Sequence, residues 1–249
     1  MKNKYDFIFS LGAACSCTSA LRAAKLQFAS YPFDWLFGSD LEGRVKILTA
    51  KFERFLEKQD LSYTFSERSI YCDAYHNSYN DLTFNHDFAV GKDLDETFPA
   101  VSEKYSRRIT RTLDNISKSK KTLVVFIEIP SVSKSKYNNT SLIKLWNKAR
   151  GVFKNIDLLY VSPDHNLDHG EIITNTVNEH ITWIKSNYKS LDSNVPDYAP
   201  DTKVLSDILR VYKLNLPFDF MIKNGLLRFA MRLIPFRNLR HKLKSKYHV

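Results

Sequence analysis

The residue with the clearest chemical potential is Cys15, which follows Gly12-Ala13-Ala14 where an apolar run gives way to helix-forming residues. A thiol at a helix N-terminus meets the positive end of the helix dipole and unpaired N–H groups, both of which favour thiolate. The same N–H groups can steady an oxyanion, so one turn can supply a nucleophile and part of an oxyanion hole. Gly12 and Ala13 leave room for a tight turn or a substrate. The plainer alternative is a small buried hydrophobe, as free cysteines often are. Cys17, two residues on, points to another side of the helix and reads as core. Glu128 follows a second apolar run, where it could cap a helix or bind a substrate hydroxyl. His165, within Asp164-His165-Asn166, follows a third and is a candidate base or substrate contact, although its neighbours also make an ordinary polar turn.

The elements that must position these residues alternate in type. Residues 5–10, 122–127 and 156–161 read as strands, the last two as unbroken apolar runs of the kind buried on both faces of a parallel sheet. Helices are expected over 40–58, with Leu41, Val45, Leu48 and Phe52 on one stripe, over 98–118 with Thr97 as N-cap, over 142–153 and over 202–213. Residues 61–92 offer only short strands or loops, and 171–185 is ambiguous, with a short strand possible at 181–184. The expected architecture is a three-layer α/β fold, its mostly parallel sheet covered by helices on both faces and its nucleophile placed after the first strand. Sites in such sheets form beyond the carboxyl ends of the strands. Cys15, Glu128 and Asp164-His165 all fall there.

Composition narrows the classes. The 249 residues are 43% hydrophobic with 17 Phe and 13 Tyr, enough for a sizeable core. Gly and Pro number only 7 and 8, against a many-turned all-β fold. Three cysteines make no disulfide framework and suit a reducing cytoplasm. Without CxxC or Cys-His spacing, no metal site is expected, and no cofactor. Lys2 and Lys4 before an apolar stretch imitate a secretory signal, but Asp6 interrupts it and the run passes into a helix carrying Arg22 and Lys25.

Ser10-Leu11-Gly12-Ala13-Ala14-Cys15, then Leu21-Arg22, then Pro32-Phe33-Asp34-Trp35 and later His86-Asp87-Phe88 resemble the SLGxxC, LR, PFDW and HDF motifs of a bacterial family described as putative papain-like cysteine peptidases. The resemblance is specific over residues 5–36 and thinner to about 127. It implies Cys15 as nucleophile and His86 as its base, with a papain-like α+β fold as the alternative architecture. His86 would take the thiol proton and return it to the leaving group. A third group should fix its tautomer, and Asp34 or Asp87 could serve. Asp34 is preferred, because on an extended segment Asp87 would point away from its neighbour His86. Trp35 is an aromatic anchor or a substrate contact.

The expected function is a cysteine-nucleophile hydrolase acting on a peptide or an acylated substrate. Two alternatives stand beside it. One is an acyl or glycan-modifying transferase of cell-surface polysaccharide synthesis, the other a non-catalytic ligand-binding module. Residues 1–216 read as a single α/β domain of catalytic type and 217–249 as a basic, amphipathic C-terminal tail. From Lys223 onward there are eight basic residues and no acid, and without them 29 basic residues face 27 acidic ones. Arg228 and Arg232 flank an apolar face of Leu226, Phe229 and Leu233, and Arg237, Arg240, Lys242, Lys244 and Lys246 follow. That pattern suits an anionic membrane surface better than nucleic acid, for which no recognised module is present. A helix docked on the body is the other reading. The expected place is the cytoplasm, peripheral to the inner membrane face. A chain truncated after Leu216 is expected to stay folded and soluble and to stop sedimenting with phosphatidylglycerol vesicles, while the full chain sediments at low salt and is partly released at high salt. Unfolding of the truncated chain would instead make the tail part of the core.

Overall fold

The apolar runs become the buried strands of one sheet. In the computed structural model, which describes residues 3–64, 72–131, 135–196 and 199–216, β1 is Lys4–Tyr5 and β2 is Phe7–Gly12. They are followed by α1 (Cys15–Ala23), β3 (Leu36–Gly38) and α2 (Leu41–Thr49). Next come β4 (Leu61–Thr64), β5 (Cys72–Asn77), β6 (Leu82–Ala89) and the long α3 (Leu94–Lys118). The chain continues through β7 (Thr122–Ile127), α4 (Asn139–Val152), β8 (Ile156–Pro163), β9 (Ile172–Asn178), β10 (Ile181–Ser186), α5 (Thr202–Leu209) and β11 (Lys213–Leu214).

Five strands lie in the order β2-β7-β8-β10-β9. The first four are parallel, and β9 folds back antiparallel on β10 at the edge. Every residue of β2, β7 and β8 is buried, which two covered faces require. Phe9, Val124, Phe126, Leu158 and Tyr160 join a cluster with Leu142, Leu145 and Trp146 of α4. Alternate residues Ile8, Val125, Ile127, Leu159 and Val161 join Cys17 and Leu21 of α1 and Leu205 and Ile208 of α5. The fold is thus mixed α/β around a mostly parallel sheet, and Cys17 is core.

Several expectations are corrected. The first strand is broken at Asp6, whose carboxylate accepts from the Lys120 and Lys121 N–H groups, and Lys4–Tyr5 pairs instead with β11. The helix expected to reach Lys58 stops at Thr49, because Lys51, Phe52 and Arg54 take left-handed φ values of 52°, 64° and 50°. That reversal turns Phe52 and Phe55 into an aromatic cluster with Phe33. Residues 61–92 hold three strands of a second, antiparallel sheet of order β3-β6-β5-β4, whose Tyr75, Phe84 and Phe88 are buried. α3 starts at Leu94 behind Asp93, so Thr97 lies inside its first turn, bonding back to the Asp93 carbonyl. α4 begins earlier than expected, where Asn138 and Ser141 form a reciprocal capping box. α5 ends at Leu209, short of Lys213, and the ambiguous stretch is the β9–β10 hairpin. Residues 217–249, with every basic tail residue named above, lie outside the described residues. Among the described residues no helix is long and apolar enough to cross a membrane.

One buried cation ties the two sheets together. Gly12 ends β2 at φ 91°, a conformation that favours glycine. A methyl group there would collide with Arg44 Nη1. Arg44 has no exposed surface. Its guanidinium donates to the carbonyls of Leu11 (2.7 Å), Ala13 (3.1 Å), Leu36 (3.1 Å), Gly38 (2.7 Å) and Ser39 (3.1 Å). Burial lowers its pKa to about 10, so it remains charged at neutral pH. Arg44→Lys keeps the charge but loses the planar fork. It should destabilise the fold by about 3 kcal/mol or more by stranding buried carbonyls, and Gly12→Ala by about 2 kcal/mol through strain and clash. Urea unfolding midpoints measure both.

Candidate active site at the carboxyl edge of the sheet

The central sheet delivers its first helix to the carboxyl edge. β2 shifts register against β7 between Ser10 and Gly12, and Ala13 N–H then bonds to the Ile127 carbonyl at 3.3 Å. The chain therefore passes β7 before α1 begins. Ala14 is the N-cap and supplies no side-chain bond, leaving the first amides of α1 without a side-chain cap. Cys15 is the first residue of that helix and is exposed. The protein mass around its sulfur raises its thiol pKa, while the N–H groups of Cys15 and Ser16 pull the other way and offset part of the rise. Desolvation thus outweighs the helix terminus, and the resting thiol is less acidic than its position in the sequence suggests. Cys17 is fully buried, its thiol donates to the Val125 carbonyl at 3.5 Å, and burial raises its pKa to about 12.

The PFDW segment anchors α1. Asp34 has no exposed surface and accepts from Thr18 Oγ1 (2.9 Å), Gln27 Nε2 (2.7 Å) and the Tyr31 N–H (2.8 Å), with Arg22 at 4.0 Å. Its carboxylate thus braces the helix that carries Cys15. The next residue, Trp35, is half-buried. Arg22 lies 5.3 Å from its ring centroid and the His86 ring meets it edge-on at 6.2 Å. His86 is exposed on β6, and the Arg22 that shares Trp35 with it lies about two helical turns along α1 from Cys15. Among the described residues no hydrogen bond or ion pair joins Cys15, His86 and Asp34 to one another. Asp87 points the opposite way from His86, as alternation on a strand demands. It accepts from Lys104 Nζ (2.5 Å) and Tyr105 Oη (2.8 Å) and fastens β6 to α3. His165 is exposed in the turn after β8, where Asp164 accepts from the Asn166 N–H at 3.1 Å.

The edge also holds the expected Glu128, together with groups that the sequence did not single out. Glu128, only 8% exposed, accepts from Tyr160 Oη, whose oxygen also meets Ser135 Oγ, both at 2.5 Å. Burial raises the Glu128 pKa, and the Tyr160 bond and nearby Lys136 partly oppose it. Lys136 pairs with Asp40, the cap of α2. Tyr160 was readable only as one member of an apolar strand, and Ser135 and Lys136 as loop. Arg44 fell beside the apolar stripe of α2 with no sign of its role. Among the described residues no group of three His, Cys, Asp or Glu could hold a metal.

A nucleophile candidate at the first turn of a helix, beyond the first parallel strand, marks the class, and comparison of sequences names the family. Residues 6–161 match the family described as "Putative papain-like cysteine peptidase (DUF1796)", and the chain belongs to it. No curated protein and no solved structure matches the chain.

Burial raises the Asp34 pKa from 3.8 to about 6. An acid whose pKa is raised by folding binds its proton more tightly in the native state, so stability falls as pH rises through that interval and is level above it. The cost is on the order of 3 kcal/mol. Asp34→Asn should remove this slope and leave the protein at least as stable at pH 7, since an amide oxygen can accept from Gln27 and Tyr31 while its NH2 donates to Thr18. Urea unfolding at pH 4.5 and 7 compares the two forms.

Proposed function

We propose that the protein is a cysteine-dependent hydrolase of the peptidase type, with Cys15 as nucleophile. The observation that carries this reading is an exposed thiol on the first residue of a helix without a side-chain cap, at the carboxyl edge of a parallel sheet. Its thiolate would attack a substrate carbonyl, with the amides of the first turn facing the oxyanion. The proton goes to His86, which returns it to the leaving group, and water then releases the acyl group from the sulfur. His86 is favoured as base by its HDF motif. Asp34 acts through α1, as a positioning residue for the helix. The packed clusters on both faces of the sheet fit a three-layer fold. A second reading, acyl transfer to an acceptor other than water, is favoured by the parallel sheet and uses the same nucleophile. The tail sequence supports a cytoplasmic enzyme resting on an anionic membrane face.

Iodoacetamide tests the nucleophile. Cys15 should alkylate much faster than Cys72, and Cys17 hardly at all, with a rate that climbs as pH rises through and above the ordinary thiol range. On a peptide or ester substrate found by screening, Cys15→Ala should abolish turnover, and His86→Gln should lower kcat about 100-fold or more, while His165→Gln changes little. Full turnover by Cys15→Ala would end the proposal, and the reverse order of the two histidine variants would make His165 the base.

A further inference from the structure

A cavity of about 220 Å³ opens beside the Cys15 turn, lined by Ala13, Phe37, Gly38, Asp40, Phe126 and Glu128, among others. Ala13 is two residues from Cys15, so their Cα atoms are at most about 7 Å apart. Its walls are mostly apolar, and its volume lies below the roughly 300–1,000 Å³ of pockets that hold a whole ligand. It suits one side chain of a longer substrate. Glu128 is the unusual member. One carboxylate oxygen is held by Tyr160, and the other, Oε2, is buried with no hydrogen-bond partner among the described residues. A buried acceptor left unpaired is costly, and a donor brought by a ligand would repay that cost.

Charge decides what kind of donor. Asp40, which also lines the cavity, is ion-paired with Lys136. The Arg44 guanidinium lies behind the wall, bonded to the Ala13, Gly38 and Ser39 carbonyls. Two acids, Glu128 and Asp40, therefore face two cations, Lys136 and Arg44. A charged ligand group would leave one buried charge unmatched, whereas a neutral N–H or O–H satisfies Glu128 and keeps the balance. We infer that this cavity is the subsite for the substrate side chain next to the scissile bond, and that it selects an uncharged hydrogen-bond donor of glutamine type through Glu128. The inference rests on Cys15 being the nucleophile.

The test uses the full chain and a panel of acetyl-aminoacyl chloromethyl ketones bearing Gln, Glu, Lys or Leu beside the warhead, with Cys15 modification followed by mass spectrometry. The sulfur displaces chloride from the warhead carbon and forms a thioether, the thiol proton passing to buffer. The Gln reagent should modify Cys15 about tenfold faster than the Glu, Lys or Leu reagents. In Glu128→Gln the Glu reagent should rise to match the Gln reagent. Equal rates for all four reagents, with Cys15 still the thiol most reactive to iodoacetamide, would overturn the subsite and spare the nucleophile. Slow iodoacetamide labelling of Cys15 would overturn the nucleophile. The pocket is then read on Cys15→Ala by saturation-transfer NMR, where binding of acetyl-glutamine amide that is lost in Glu128→Leu supports its glutamine-type selectivity and no binding overturns it.

Discussion

A guanidinium sealed from water, with five backbone carbonyls as its acceptors, holds the site end of this fold. The carbonyls come from the end of β2, from the turn before Cys15 and from the segment entering α2. Carbonyls that leave a strand have no ladder partner, and here one planar cation satisfies several at once. The arrangement explains why the turn must carry glycine at Gly12, since no side chain fits between the backbone and Arg44. It also fixes Ala13, and through it the start of α1, against the second sheet. Geometry at the candidate nucleophile is thus set by a residue that never reaches the surface.

Around that cation, acids distribute the mechanical tasks. Asp34 spends both oxygens on α1 and its own loop, and Asp87 spends both on α3. Each lies in a motif that a catalytic reading would claim, yet each joins one element to another. The candidate side chains at the carboxyl edge of the parallel sheet are Cys15, His165 and Glu128, while His86 stands on β6 of the second sheet. Cys15 and both histidines are exposed, and Glu128 is partnered among the described residues through only one of its oxygens.

What was legible in the sequence follows from how local each signal is. The strands at β7 and β8 show in continuous apolar runs, because burial on both faces leaves no polar positions to interrupt them. Cys15 was legible for a related reason, a strand ending in small residues. The antiparallel sheet was not. Its strands are short, and half of their positions are polar. Their register depends on contacts between aromatic residues distant in sequence, such as Phe55 with Phe84 and Tyr105. The end of α2 was missed because three residues enter left-handed φ without glycine or proline to announce it. The role of Arg44 could not be seen at all, since a single arginine on an amphipathic helix ordinarily faces water. The partners of Asp34 lie within sixteen residues of it, but their convergence needs the bend at Pro32.

The two-stranded β1–β11 pair sets an orientation for the whole molecule. Lys4 pairs with Lys213 and Tyr5 with Leu214, and Asn215 bonds to Tyr5 and Asp6, just ahead of β2. The described body therefore ends near where it begins, at the pole from which the parallel strands set out. Cys15 stands at the other pole, across the roughly 20 Å length of β2. The edge bearing Cys15 therefore looks away from the point where the described chain begins and ends, and its approach is left open to what diffuses past.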